Sequence, residues 1–397
     1  MKRLLQVSFD TFIYSLITTI IWFVLSALVD KDLINIFILT YPIQYIANIL
    51  KSIFATGANI SETKGNKNEA LSGLTLGIIF TIIIFGLILL NINSYIKFMG
   101  INVSVLFCIY SVIQIFLQTI LNLVITNLYY KEKNNLANKY SLIFYIINLV
   151  LIIITAVLFD NPYYIIIPTL TVLSLFTIYT VIKIIKKFKF KINILKWLKY
   201  DLVELVDHLF FGLGYLFGIS IALNFGENYA LAITFVALIT DIQWDVAISS
   251  FSTVAKIDIS KNNYNYKEHM KNDYKLTLII IISIILMFLI LFHYYNVDLK
   301  ITLILLSFHI FDFLIYPIGV LQITYLQLEH SALNANINNL FARIGRLVLS
   351  FLKTPYCNVI AMVVPGFIKL IIMNIIFNKN YKVNELGFIE KRYKEVK

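Results

Sequence analysis

Apolar runs of membrane-spanning length recur along this chain, each parted from the next by a few polar residues. The first runs from about residue 4 to 29. Others fall near 33–61, 70–92, 101–129, 138–159 and 162–185, and then near 201–224, 228–256, 274–295, 300–328, 335–353 and 356–377. An α-helix rises about 1.5 Å per residue, so about 20 apolar residues cross the hydrocarbon of a bilayer. In lipid each segment must satisfy its own backbone N–H and C=O groups, which leaves helices or closed barrels. The period-two alternation of a barrel strand is absent. The chain is therefore expected to be an all-α polytopic membrane protein with twelve transmembrane helices. Its composition agrees: 59% of residues are hydrophobic and 14% charged, against about 25% charged in soluble domains.

The net charge of +11 does not point to nucleic acid, because the basic residues lie in short connections rather than on one face or arm. With the N-terminus in the cytoplasm, alternate connections collect most of them. Lys2, Arg3, Lys64, Lys67, Lys131, Lys133, Lys139, Lys256, Lys261, Lys267, Lys271, Lys275, Arg343, Arg346 and the basic tail fall on that side. Only Lys31, Lys97, Lys300 and Lys353 fall in connections on the other. This asymmetry predicts twelve spans with both termini cytoplasmic. The first segment is too long for a signal-peptide core, and no small-residue cleavage site closes it, so it reads as an uncleaved span. Heavy use of Ile, Asn, Lys, Tyr and Phe suggests a bacterial source, and hence the bacterial cytoplasmic membrane.

Near the midpoint a connector carries Lys183, Lys186, Lys187, Lys189, Lys191, Lys196 and Lys199. The half of the chain after it repeats the half before it. Phe54, Thr56, Ala58, Lys64 and Asn66 find the same residue types, in the same spacing, at Phe251, Thr253, Ala255, Lys261 and Asn263. Ile125, Thr126, Leu128, Ala137 and Asn138 do so at Ile323, Thr324, Leu326, Ala335 and Asn336. The expected organisation is a six-helix lobe over 1–185, a basic cytoplasmic linker over 186–200, a parallel six-helix repeat over 201–378 and a cytoplasmic tail over 379–397. Such repeats mark transporters, with the site at the interface of the halves.

Particular residues resemble a family. Residues 54–70, FATGANISETKGNKNEA, resemble the signature after the second span of multidrug and toxic compound extrusion (MATE) transporters, and 249–275 is the counterpart in the second half. Asn148 to Leu151 resembles the family's fifth-span Asn-x-x-Leu. Gly345-Arg346-Leu347 resembles its eleventh-span Arg, and Tyr229 to Ala232 its Leu-Ala-Ala. The resemblance implies two six-helix lobes that alternate between inward- and outward-open states and export organic cations in exchange for Na⁺ or H⁺. The same superfamily includes flippases for lipid-linked saccharides, a reading that stays open.

An ionisable side chain inside a span is costly and is a functional candidate by default. Asp201, Glu204 and His208 share one face of the seventh segment, with Asp207 beside them. Asp201 adjoins Lys199 and reads as a solvated helix-start acid. Asp241 and Asp245 stand four apart in the eighth segment, where Thr234, Ser249 and Ser252 extend the polar stripe. Asp312 lies within the tenth and resembles the family's tenth-span Asp. Carboxylates facing one another in low dielectric repel, so a proton or cation must neutralise them. The expected cation-coupling set is therefore Asp312, Asp241, Asp245, Glu204, Asp207 and His208. In the first half, Gln44, Asn48, Lys51 and Asn59 form a stripe on the second segment, expected to line the substrate cavity. Ser111, Gln114, Gln118, Asn122 and Thr126 stripe the fourth, where interhelical packing is expected.

Gly212, Gly214 and Gly218 follow no strand and read as close helix packing rather than a phosphate loop. The sequence has no Walker A motif, no metal-ligand spacing, no CxxC and no catalytic constellation. No enzymatic activity and no tightly bound cofactor are expected; Na⁺ or H⁺ would be the coupling ion. The expected partners are a small-molecule substrate and the lipid bilayer, without nucleic acid, and the expected state is a monomer.

Overall fold

A computed structural model describes residues 1–30, scattered positions between 33 and 50, and residues 67–99, 103–185, 210, 213–214, 217–295, 297–328 and 332–392. These residues are almost entirely helical. In chain order the helices are α1 (Lys2–Leu28), α2 (Lys67–Leu90), α3 (Ile92–Met99), α4 (Val105–Tyr130), α5 (Asn134–Leu158) and α6 (Pro162–Ile185). After the connector come α7 (Glu227–Ser260), α8 (Tyr266–Tyr295), α9 (Leu299–Leu326), α10 (Ala332–Leu349) and α11 (Cys357–Asn380). Two short strands, β1 (Tyr381–Val383) and β2 (Ile389–Lys391), close the described chain.

Among the described residues, seven helices are long and apolar enough to cross a membrane. Their outer faces carry side chains such as Ile83, Leu87, Leu175, Ile290 and Ile375, all more than half exposed. Such surface is stable only against lipid, so the protein is a multi-pass membrane protein. The 33–61 and 201–224 segments and the 186–200 linker fall largely outside the described residues.

The contacts divide the chain into two compact units, Phe9–Gly212 and Leu213–Lys397, with Met1–Ser8 belonging to the second. In the first unit α4 is the hub, packing on α2, α3, α5 and α6. Its polar stripe points inward, as the packing reading expects: Gln118 donates to the Tyr145 hydroxyl at 3.1 Å, and the Tyr110 hydroxyl donates to Asn148 at 3.1 Å. Both bonds join α4 to α5, and all four side chains are buried. Such bonds hold helices together where lipid gives no hydrophobic drive.

In the second unit α9 is the hub, touching α7, α8, α10 and α11. Trp244 of α7 stacks on Phe313 of α9, with ring centroids 4.1 Å apart, and meets Tyr316 edge-on at 4.7 Å. Small residues let the helices close up. A Cβ on Gly218 would sit 3.0 Å from Asn358 of α11, and one on Gly214 would lie 3.5 Å from Arg346 of α10. Gly218 thus serves close packing, the role expected from sequence, whereas Gly214 leaves room for an ordinary contact and Gly212 lies outside the described residues.

The charge pattern counts Arg343 and Arg346 with a connection; they lie instead in the second half of α10, and Arg346 is buried. Asn334, Asn336, Asn338 and Asn339 make the first half of this helix polar, so hydropathy alone does not separate its charges from those of a connection.

The tail is not extended. β1 and β2 pair antiparallel, Tyr381 opposite Lys391 and Val383 opposite Ile389. Tyr381 is buried in a cluster with Ile323, Leu326, Met373 and Phe377 from the ends of α9 and α11. The hairpin turn docks on the start of α8: Tyr266 N–H donates to the Gly387 carbonyl at 2.8 Å, and the Asn265 side-chain amide donates to the Leu386 carbonyl at 2.8 Å. Asn265 also caps α8, its side-chain oxygen accepting from Glu268 N–H at 3.0 Å.

Candidate functional site

Asp312 lies near the middle of α9, where apolar residues flank it on both sides. The residue is partly buried and its carboxylate lies against α11: a Cβ added to Gly366 would be 3.7 Å from Asp312 Oδ1. The charges bearing on it are those of Arg346 and Arg343 from α10 and Lys369 from α11. Pro317 lies inside α9 a little over a turn beyond Asp312, and Pro365 inside α11 next to Gly366. A proline removes one intrahelical bond and bends its helix. The carboxylate thus sits close to a proline on each of two packed helices.

One turn before Asp312, His309 is buried, and its Nδ1 has no hydrogen bond. It lines a small cavity with Asn358 of α11, whose Oδ1 is also without a partner; Ile233, Val236, Ala237, Leu305, Val359 and Met362 complete the wall. Sequence reading missed His309, although its step of three before Asp312 on a helix was visible.

The other expected site residues are spread more widely. Asp241 and Asp245 both belong to α7, one turn apart, but their side chains lie outside the described residues. Trp244, between them, faces α9 beside Asp312 through its stack on Phe313. Thr234 bonds back to the Ala230 carbonyl at 2.8 Å, and Ser252 meets Thr324 of α9 at 3.5 Å, so that stripe partly serves the α7–α9 contact. Gln44 is helical and partly buried. Asn48, Lys51, Asn59, Glu204, Asp207 and His208 lie outside the described residues.

A second polar cluster, not foreseen from sequence, occupies the N-terminal end of α8. Arg3 of α1 donates to Asp258 Oδ1, and His269 Nε2 is 3.1 Å from Asp258 Oδ2. The Tyr264 ring packs on His269, centroids 4.7 Å apart. Burial opposes ionisation of Asp258, but the hydrogen bond from His269 and the charge of Arg3 outweigh it and hold the carboxyl below its usual range. One turn beyond His269, Asp273 is 1% exposed, and neither of its carboxylate oxygens has a hydrogen bond. Among the described residues, no cluster of His, Cys, Asp and Glu could hold a metal ion.

No protein-family profile and no curated protein matches the sequence. Solved structures do match the fold. A MOP superfamily transporter from Pyrococcus furiosus, reported with a binding pocket of reversed polarity that suggests a different function, superposes with a TM-score of 0.69 at 17% identity, covering 94% of each chain. A MATE protein in complex with MaL6 gives 0.70 at 16%, again over 94% of each. A MATE-family multidrug resistance transporter in an outward-facing conformation gives 0.67 at 16%, over 94% of each. The chain therefore has the MATE transporter fold across nearly its whole length, the architecture expected from its segments and repeats.

Proposed function

We propose that this protein is a secondary active exporter of small organic compounds, predominantly cationic, that works by alternating access of its two halves in a bacterial cytoplasmic membrane, with both termini cytoplasmic. The observation that carries this reading is Asp312, a carboxylate in the middle of an apolar helix, set against Gly366 and close to a proline on each of two helices. A carboxylate in low dielectric changes its interactions sharply with its charge state. Binding an ion there alters how α9 packs on α10 and α11, and two weakened helices give that change somewhere to go. The coupling ion is H⁺ or Na⁺. The charges of Arg346, Arg343 and Lys369 bear on this carboxylate, and uptake of either ion would loosen its hold on them.

The multidrug resistance named for one structural neighbour is consistent with organic compounds as substrates. A second reading, flipping of a lipid-linked saccharide, gains from Arg343 and Arg346 lying within helix α10, where a pyrophosphate would find positive charge. Expression in a pump-deficient bacterial host separates them. The exporter reading predicts raised tolerance to cationic dyes and drugs, abolished by Asp312→Asn. Unchanged tolerance across a broad panel, with rescue of a flippase-deficient strain, would overturn it in favour of the second.

A further inference from the structure

We propose that Asp273 is a proton-binding site on the cytoplasmic side of the C-terminal half, loaded and unloaded through His269. Asp273 stands about 10 Å along α8 from its first residue, on the same face as His269 one turn earlier. It is 1% exposed, and both its oxygens lack a hydrogen bond. An ionised carboxylate in that position loses its hydration with no hydrogen bond to replace it, a loss that the charge of the Met1 amino group offsets only in part, so the environment favours the state that holds a proton. The Tyr264 hydroxyl beside it is also buried without a partner, which leaves a second polar group turned into the same place.

The groups facing this place from the packed elements are the Met1 amino group and Arg3 of α1, Asp258 of α7, Tyr264 in the turn, Tyr266 and His269 of α8, and Tyr325 of α9. Their arrangement is graded. Arg3 and Asp258 are partly open to solvent, with side chains 31% and 16% exposed, His269 is 11% exposed, and Asp273 is closed off. Asp258 holds one side of the imidazole at Nε2, 3.1 Å away, and leaves Nδ1 to exchange protons. In the transfer, imidazolium His269 gives its Nδ1 proton to an Asp273 oxygen, forming the neutral acid. The neutral imidazole keeps its Nε2–H on Asp258 and takes a new proton from water. One proton thus passes from the cytoplasm to a buried carboxyl, and the reverse sequence returns it. Asp258 and Arg3 are positioning residues, which fix the tautomer and orientation of His269.

This inference stands apart from the role given to Asp312, and its test keeps the two separate. Full-length protein in lipid nanodiscs is examined by infrared difference spectroscopy across a pH titration and after a rapid pH jump. The expected result is a carboxylic-acid C=O band lost in Asp273→Asn and retained in Asp312→Asn. In His269→Gln that band should remain while its rate of appearance after the jump falls by about a hundredfold, the scale of a positioned acid–base group. If Asp273→Asn does not fold, the His269→Gln kinetics and exchange of the same band in deuterated water decide the matter. An unchanged set of acid bands in Asp273→Asn, or equal proton-exchange rates with and without His269, would overturn the proposal. Loss of the Asp273 band with no effect of Asp312→Asn on transport would instead uphold it while removing the coupling role of Asp312.

Discussion

Replacing Gly387 with alanine should unfasten the tail from the helices, and the size of the effect can be worked from the local geometry. Gly387 has φ of +91°, a conformation that an L-residue adopts at a cost of about 1–2 kcal/mol. The new Cβ would overlap Asn265 Oδ1 and stand 3.0 Å from Lys267 Cβ, so the Asn265 side chain has to shift. Asn265 must therefore swing away and give up its bond to the Leu386 carbonyl, and the Tyr266-to-Gly387 bond goes with it. At about 1 kcal/mol net for each bond, the docked hairpin loses roughly 3 kcal/mol, or about a hundredfold in its opening equilibrium. Hydrogen exchange with residue resolution reads this directly. The Tyr266 amide should exchange about a hundredfold faster in Gly387→Ala, while amides in the middle of α9 stay unchanged. Exchange at Tyr266 within about threefold of wild type would refute the close approach on which the estimate rests.

Three further outcomes rest on the same kind of geometry. Removing the Tyr110 hydroxyl in Tyr110→Phe strands Asn148 Oδ1 in the α4–α5 contact, and thermal melts should show a loss of about 1–2 kcal/mol. Trp244→Ala empties the space over Phe313 and should cost about 3–5 kcal/mol by the same measurement, a far larger effect than any change at the exposed Leu175. The carboxyl of Asp258 is held below its ordinary value, so its contribution to stability is present above the usual carboxylate range and is lost as pH falls through the lower folded value. An acid melt should therefore show a destabilisation below about pH 4 that is weakened in Asp258→Asn and in Arg3→Gln.

Much of the fold was legible because lipid imposes one rule on every segment. Apolar length alone placed α2, α5, α6, α9 and α11 within a few residues of their ends. What apolar length could not show is where a helix continues past its apolar run. It ends the eighth segment near 256 and begins the ninth near 274, whereas α7 and α8 run Glu227–Ser260 and Tyr266–Tyr295. The added turns carry Asp258, His269 and Asp273, so the second cluster fell in what read as a loop. Asn265 was the missed signal, since an Asn before a polar first turn is a helix start. The hairpin was legible in principle, because Tyr381, Val383 and Ile389 alternate with charged residues around a turn that ends in glycine.

Within the candidate site, chemistry was easier to read than company. Asp312 stood out as a charge in oil, but Arg346 and Lys369 approach it from two other helices, which no one-dimensional spacing discloses. His309 was overlooked for the opposite reason. A lone histidine in an apolar stretch draws attention only once Asn358, on another helix, is seen to share its cavity.

Ethidium movement in proteoliposomes under an imposed proton gradient, with wild type and Asp312→Asn compared side by side, tests the central claim most directly. Gradient-driven ethidium transport by the wild type, accompanied by stoichiometric proton movement and lost in Asp312→Asn, is the predicted result. Equal transport by both proteins, or wild-type transport indifferent to proton and sodium gradients alike, would contradict it.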